Sequence, residues 1–184
     1  MQDEQDIVRR AQQYDQQAFG QLYEEHFDKI YRYITLKIGN KVEAEDMTQQ
    51  VFLKALRSIS GYKWRNIPFS AWLFRIAHNQ VVDYLRKKSK RATMSLDESI
   101  IIPGDPDSNP QKIAEHRLNV EQLTSATRQL TAAQQEVISL RFAGEMPIAQ
   151  VAATMGRSEG AVKALQHSAI VALRKILLAV EDNE

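Results

Sequence analysis

The chain has 184 residues, 43% of them hydrophobic, with 7 Gly, 5 Pro and no Cys. That is apolar material for one ordinary domain or two small ones, with too little Gly and Pro for a loop-rich β protein. The missing cysteines exclude a disulfide framework and a thiolate metal site and fit a reducing cytoplasm. The first expected helix is capped by Asp15, buries Phe19, Leu22, Phe27, Ile30, Ile34 and Ile38 at helical spacing, and ends at Gly39-Asn40. A second runs through AEDMTQQVFLKALRSI with Met47, Val51, Ala55 and Ile59 inward. The segment SGYKWRNIP is a loop, and a third helix, SAWLFRIAHNQVVDYLRKKSKR, follows Pro68-Phe69.

The periodicity then stops. SLDESIIIPGDPDSNP holds three of the five prolines and four acids and reads as a linker, with a helix resuming after Pro110. Thr131 and Gln134 form a capping box before Val137, Ile138 and Leu140. PIAQVAATM is a short helix with Pro147 in its first turn. GRS turns the chain into a long last helix, capped by Ser158, with Val162, Leu165, Ala169, Leu173 and Ile176 on one buried stripe. A short helix, a turn containing Gly156 and a longer helix with an exposed basic face form a helix-turn-helix signature, though any two packed helices give a similar pattern.

The net charge of +1 is strongly segregated. It is −4 over residues 1–46, +9 over 47–91, −4 over 92–127, +3 over 128–180 and −3 in the final EDNE. Two basic blocks around an acidic strap point to polyanion binding at two places. The opening MQDEQDIVRR lacks the apolar core of a signal peptide, and no run of eighteen apolar residues is available to span a membrane.

On a helical wheel the third helix separates a core side (Leu73, Ala77, Val81, Tyr84) from a second stripe of Trp72, Arg75, Asn79, Asp83 and Arg86, with Lys87 and Lys88 beyond it. A ring to stack on, polar groups for base edges and cations for phosphates suit unstacked bases. A solvated helix with Trp72 tucked into the core gives the same wheel. On the second helix Asp46, Gln49, Gln50, Leu53 and Arg57 lie away from the core stripe, and an exposed leucine among polar groups is a weak sign of a protein contact. On the last helix Gly160, Lys163, Ala164 and His167 offer small and cationic side chains to a close-approaching anion such as DNA.

Catalysis finds little support. The four histidines are scattered, Glu24, Glu25, His26 and Asp28 read as a solvated helix face, and there is no HExxH, Walker A, GxGxxG or GxSxG motif. No catalytic residue, metal ligand or cofactor is expected.

Four ordered segments resemble the small, extracytoplasmic-function type of bacterial RNA polymerase sigma factor. AFGQLYEEHFDKIYRYI resembles the first helix of the N-terminal sigma domain, and AEDMTQQVFLKAL is similar to the family's core-polymerase-binding helix. PFSAWLFRIAHNQVVDYLRKKSKR is similar to the helix that melts and reads the −10 element. The segment from LTAAQQEVISLRF to the end of VALRK resembles the domain that reads the −35 element.

The resemblance implies an all-α fold of two small helical domains, 1–91 and 128–184, joined by a flexible acidic linker over 92–127, the C-terminal domain a helix-turn-helix. It places Asp46, Gln49, Gln50 and Leu53 against core polymerase. Trp72, Arg75, Asn79, Asp83, Arg86, Lys87 and Lys88, with the Ser60–Pro68 loop, fall at the opened −10 strand. Arg157, Ser158, Gly160, Lys163, Ala164, Gln166 and His167 fall at the −35 duplex. The implied partners are core polymerase, promoter DNA and an anti-sigma protein, in the cytoplasm. One departure is Ser168, where relatives often carry arginine, followed by Ile170 and Val171 in place of a more basic run. Two other readings stay open on the residues alone: a helix-turn-helix regulator binding duplex DNA as a dimer, and a polymerase-docking adaptor without DNA contact.

Overall fold

The computed structural model describes residues 4–64, 67–92 and 122–181, and every regular element among them is helical. The order is α1 (Glu4–Gln12), α2 (Gln16–Ile38), α3 (Lys41–Ser58), a 3₁₀ turn (Ile59–Gly61) and α4 (Phe69–Ala92). After the undescribed stretch come α5 (residues 122–128), α6 (Ala132–Ile138), a π-helical turn (Ser139–Ala143), α7 (Ile148–Met155) and α8 (Glu159–Glu181). The linker and the expected restart after Pro110 lie outside the described residues up to 121.

The helix boundaries follow from local chemistry. Asp15 accepts from the amides of Gln17 and Ala18 and is held from behind by Arg10, whose guanidinium lies 2.7 Å away. Arg10 keeps the Asp15 carboxyl below the usual carboxylate range. Gly39 closes α2 in the left-handed region at φ 70°, its N–H donating to Thr35 O. Asn40 then caps α3 through the Glu43 amide. The Thr131–Gln134 capping box is complete, and the Ser158 hydroxyl accepts from the Ala161 amide at 3.2 Å.

Two expectations are corrected. The first block has four helices, because α1 precedes the Asp15 cap and buries Val8 and Ala11 against α2. Within the supposedly solvated Glu24–Asp28 face, Glu24, Glu25 and Asp28 are exposed but His26 is only 2% exposed, its ring 5.5 Å from that of Phe69. Position 26 lies four residues after Leu22 and four before Ile30, so helical geometry carries it inward despite its charged neighbours.

The N-terminal core gathers Leu22, Ile30, Ile34, Val51, Phe69, Leu73, Phe74 and Val81, all with essentially no exposure. Val137, Leu140, Met146, Val151, Val162 and Ala169 form the centre of the C-terminal helices. The two sets meet. The π turn packs on α2 and α7 packs on α4, with Gly144 so close to Phe74 that a Cβ there would lie 2.7 Å from the ring.

At this seam Glu136 of α6 is buried and fully engaged. It accepts from Tyr33 Oη at 2.8 Å, Lys37 Nζ at 2.8 Å and lies 3.1 Å from His78 Nδ1. Burial alone would raise its pKa, but the His78 hydrogen bond and the Lys37 charge outweigh it and bring the carboxyl down to about 2. A depressed carboxylate stabilises the folded state above its unfolded pKa and loses that contribution as pH falls toward the folded value. Unfolding free energy should therefore drop by about 3 kcal/mol between pH 5 and pH 2 through this group. Denaturant titrations across that range should show the drop, and Glu136→Gln should shrink it.

Candidate nucleic-acid and polymerase interfaces

The expected polymerase patch lies on the outer face of α3. Asp46, Gln49, Gln50 and Leu53 are all exposed, Leu53 at 52%, while Met47, Thr48, Val51 and Phe52 face the core. Leu56 and Val42 are exposed on the same helix at 44% and 60%, which extends its apolar content beyond the single leucine noted in the sequence.

Helix α4 presents Arg75, Asn79, Asp83, Arg86, Lys87 and Lys88 to solvent. Asp83 is paired with Arg86 at 2.8 Å across one turn, so this carboxylate is held as an acceptor beside a cation. Trp72 is partly buried, its ring 5.1 Å from Tyr62 and 5.5 Å from Phe69. It is both a support for the loop and a partly exposed plate, a combination the wheel left undecided.

The expected Ser60–Pro68 loop is backed by α1, which the sequence reading missed. Trp64 is 38% exposed and sits edge-on to Tyr62, whose hydroxyl donates to Ile67 O at 2.6 Å. Burial pushes the Tyr62 phenol up to about 12, so it remains a neutral donor. Gln12 of α1 ties the loop down by donating to the carbonyls of Ile59 and Tyr62. Between α1 and the loop is a groove of about 510 Å³ lined by Gln5, Arg9, Lys63 and Trp64 among others. Arg65 and Asn66 of the expected −10 loop lie outside the described residues. Trp64 falls within the loop that the resemblance placed at the −10 strand, whereas its neighbour α1 was not anticipated.

Arg157 and Ser158 in the turn before α8, and Gly160, Lys163, Ala164 and His167 within it, are exposed, and Gln166 is half-buried. Gln166 accepts from Arg141 Nε at 3.0 Å, so its amide is oriented by the π turn. No heavy atom lies within 4 Å of a Cβ built on Gly160, leaving that face open to a close approach. Ser168 accepts from Gln134 Nε2 at 3.3 Å and donates to Leu165 O, staying on the protein. Ile170 and Val171 are exposed at 43% and 55%.

Among the described residues one group has ligand atoms close enough to share an ion: Glu4, Glu25 and His26, within 4.8 Å of one another. His26 Nε2 lies 3.3 Å from Glu4 Oε1, an ion-pair distance, yet neither ring nitrogen is aligned for a hydrogen bond. Two of the three side chains reach this point from adjacent positions of one helix, which turns them to different faces. No described helix is long and apolar enough to cross a membrane.

Residues 22–91 match the family Sigma-70 region 2 and residues 127–175 match Sigma-70, region 4. The sigma factor BldN of Streptomyces coelicolor is 36% identical over 94% of this chain, which spans 65% of BldN's length. SigL of Mycobacterium tuberculosis is 31% identical over 85% of this chain and 86% of its own. The chain belongs to the extracytoplasmic-function sigma factors. This sigma factor has the fold of CnrH, solved in complex with the cytosolic domain of CnrY (TM-score 0.72, 24% identity, 94% of this chain and 96% of CnrH). It also shares the fold of RpoE of Bartonella quintana, solved with the anti-sigma factor NepR (TM-score 0.67, 22% identity, 86% and 96% of the two chains). Its relatives are transcription initiation factors.

Proposed function

We propose that this sigma factor docks on core RNA polymerase through Asp46, Gln49, Gln50 and Leu53 of α3, opens and reads a −10 element with α4 and the loop before it, and reads a −35 element with α8. It carries out no chemistry of its own and acts in the cytoplasm. The observation that carries this reading is the α4 face. Trp72, Arg75, Asn79, Asp83 and Arg86 share one side of the helix and lead into Lys87 and Lys88, and the Tyr62 ring lies between Trp72 and Trp64 in the loop. A protein that reads only duplex DNA has little use for aromatic plates at the start of a basic stripe, whereas displaced bases need a surface to stack on. Phosphate contacts from the basic end supply grip and position without sequence information. That argues against the dimeric duplex reader and against the adaptor without DNA contact.

At α8 the exposed Gly160 and Ala164 let the groove edge come close, Lys163 supplies a phosphate contact and His167 a base-edge contact. The basic content of this half is modest, so duplex binding should be weak and salt-sensitive. Lys163→Ala should weaken binding on all sequences and reduce the salt slope by about 0.9. His167→Ala should alter base preference more than overall affinity. Anisotropy titrations of the full chain with core polymerase over a salt series check both. Equal loss on every sequence for both variants would show that neither residue reads bases.

An anti-sigma protein is the expected inhibitory partner, since both basic faces stand open in the free chain. The solved complexes of CnrH with CnrY and of RpoE with NepR are the parallels for such a partner.

A further inference from the structure

His26 of α2 is only 2% exposed, yet neither of its ring nitrogens has a hydrogen-bond partner. A buried polar group in that state costs free energy, so an imidazole is a poor choice for this position unless something bonds to it. Helical geometry accounts for the ring lying inside, and the Phe69 ring 5.5 Å away accounts for its packing. Neither accounts for an imidazole standing where a hydrocarbon side chain would pack as well.

Two carboxylates converge on the same point. Glu4 comes from the first turn of α1 and Glu25 from the residue before His26, and one ligand atom from each of the three lies within 4.8 Å of the others. Glu4 is half-buried, Glu25 exposed and His26 buried. The cluster therefore sits at the edge of the core, with an entry side at Glu25. His26 Nε2 and Glu4 Oε1 are 3.3 Å apart. That is close to the edge of a tetrahedron around a zinc ion bonded at about 2.0–2.1 Å, which is ~3.4 Å. The paired charges of Glu4 and Glu25 balance a divalent cation, and the imidazole nitrogen favours zinc-like ions over the hard Mg²⁺ and Ca²⁺.

The point also lies where it can act on a neighbouring element. Phe69, against the His26 ring, is the first residue of α4. Burial, and after it the charge of Glu4, pushes the Tyr62 phenol of the preceding loop up to about 12. At the other end of α1, Gln12 donates to the carbonyls of Ile59 and Tyr62. A bridge from Glu4 to α2 would thus fasten α1 at its first residue, where the loop already fastens it at its last.

We propose that Glu4, Glu25 and His26 form a binding site for one divalent transition-metal ion of the zinc class, which ties the first turn of α1 to α2 beside the Ser60–Pro68 loop. The ion completes the bonding of a buried imidazole and holds two helices together; water fills its fourth position, and it takes part in no reaction. The site is independent of the promoter-reading assignment.

The untagged full chain, stripped of metal with a chelator and titrated with zinc chloride in a calorimeter, should take up one ion with micromolar or tighter affinity. Millimolar Mg²⁺ should not displace it. Second-shell changes alone weaken metal sites 10–100-fold, so Glu4→Gln and Glu25→Gln, each losing a ligand, should each bind zinc about tenfold or more weakly. Neither glutamate is buried, so both variants should keep the helix content of the unmodified chain by circular dichroism. Glu24→Gln removes an adjacent exposed carboxylate and His116→Gln a histidine elsewhere in the chain; both should bind zinc as the unmodified chain does. Cobalt(II) in place of zinc should give a visible absorption band that zinc abolishes and that Glu4→Gln lacks. Zinc should also slow hydrogen exchange of the α1 amides at least tenfold in the unmodified chain and leave those of Glu4→Gln unchanged. Absent or unsaturable uptake, or uptake equal in Glu4→Gln and the unmodified chain, would overturn the site. Saturable uptake with no slowing of α1 exchange would overturn the tie between the helices.

Discussion

Asp46→Arg combined with Gln50→Arg is expected to weaken binding to core polymerase by at least a hundredfold, equivalent to about 3 kcal/mol. Both side chains are exposed on α3 and neither is among its buried residues, so folding should be unaffected. The effect comes from replacing an acceptor and an amide with two cations at the centre of a surface whose rim already includes Arg57. Like charges brought together across an interface cost several kcal/mol. Co-purification with core enzyme, beside circular dichroism of the free variant, checks it. Retained co-purification would remove α3 from the interface.

The second large effect is on strand opening. Trp72→Ala should reduce open-complex formation by roughly tenfold or more while closed-complex binding survives, because stacking is worth about 1–3 kcal/mol per base. Trp72 also packs on Tyr62 and Phe69, so the alanine variant loses some folding stability as well. Trp72→Leu separates the two roles. It keeps apolar contact with both rings but offers no flat face, and should open DNA as poorly as alanine while unfolding at nearly the wild-type temperature. Asn79→Ala should leave opening intact and relax base choice on the opened strand, since an amide pairs with a base edge and phosphate contacts do not specify sequence. Permanganate reactivity of promoter thymines reads all three. Normal opening by Trp72→Leu would make the ring a packing element.

Local chemistry made much of this fold readable. The Asp15, Thr131 and Ser158 caps, the Gly39 and Gly156 turns and the inward stripes of α3, α4 and α8 each rest on residues within four positions of one another. Helix α1 escaped because EQDIVRRAQ has only Ile7, Val8 and Ala11 to mark an apolar side; its order comes from docking on α2 and from Gln12 bonding a loop 47 and 50 residues away. His26 escaped for the opposite reason: charged neighbours on both sides masked a position that helical geometry sends inward.

The exposure of the candidate stripes was legible in the sequence, whereas the seam was obscure. Tyr33 meets Glu136 across 103 positions and Lys37 meets it across 99. No periodicity encodes such a pairing, and on the sequence Glu136 is simply a charged residue in a short helix. Trp72 was ambiguous because a residue at the edge of a stripe can face either side, and here its ring is partly buried against Tyr62 and Phe69.

The central claim is that this chain opens promoter DNA as a subunit of RNA polymerase. Its most direct test is permanganate footprinting of the DNA upstream of the protein's own gene, with bacterial core polymerase, with and without this chain. The account predicts reactive thymines confined to the −10 region that require both proteins, followed by a run-off transcript when nucleotides are added. Unreactive DNA with both present, or specific duplex binding by this chain that core polymerase does not change, would contradict it.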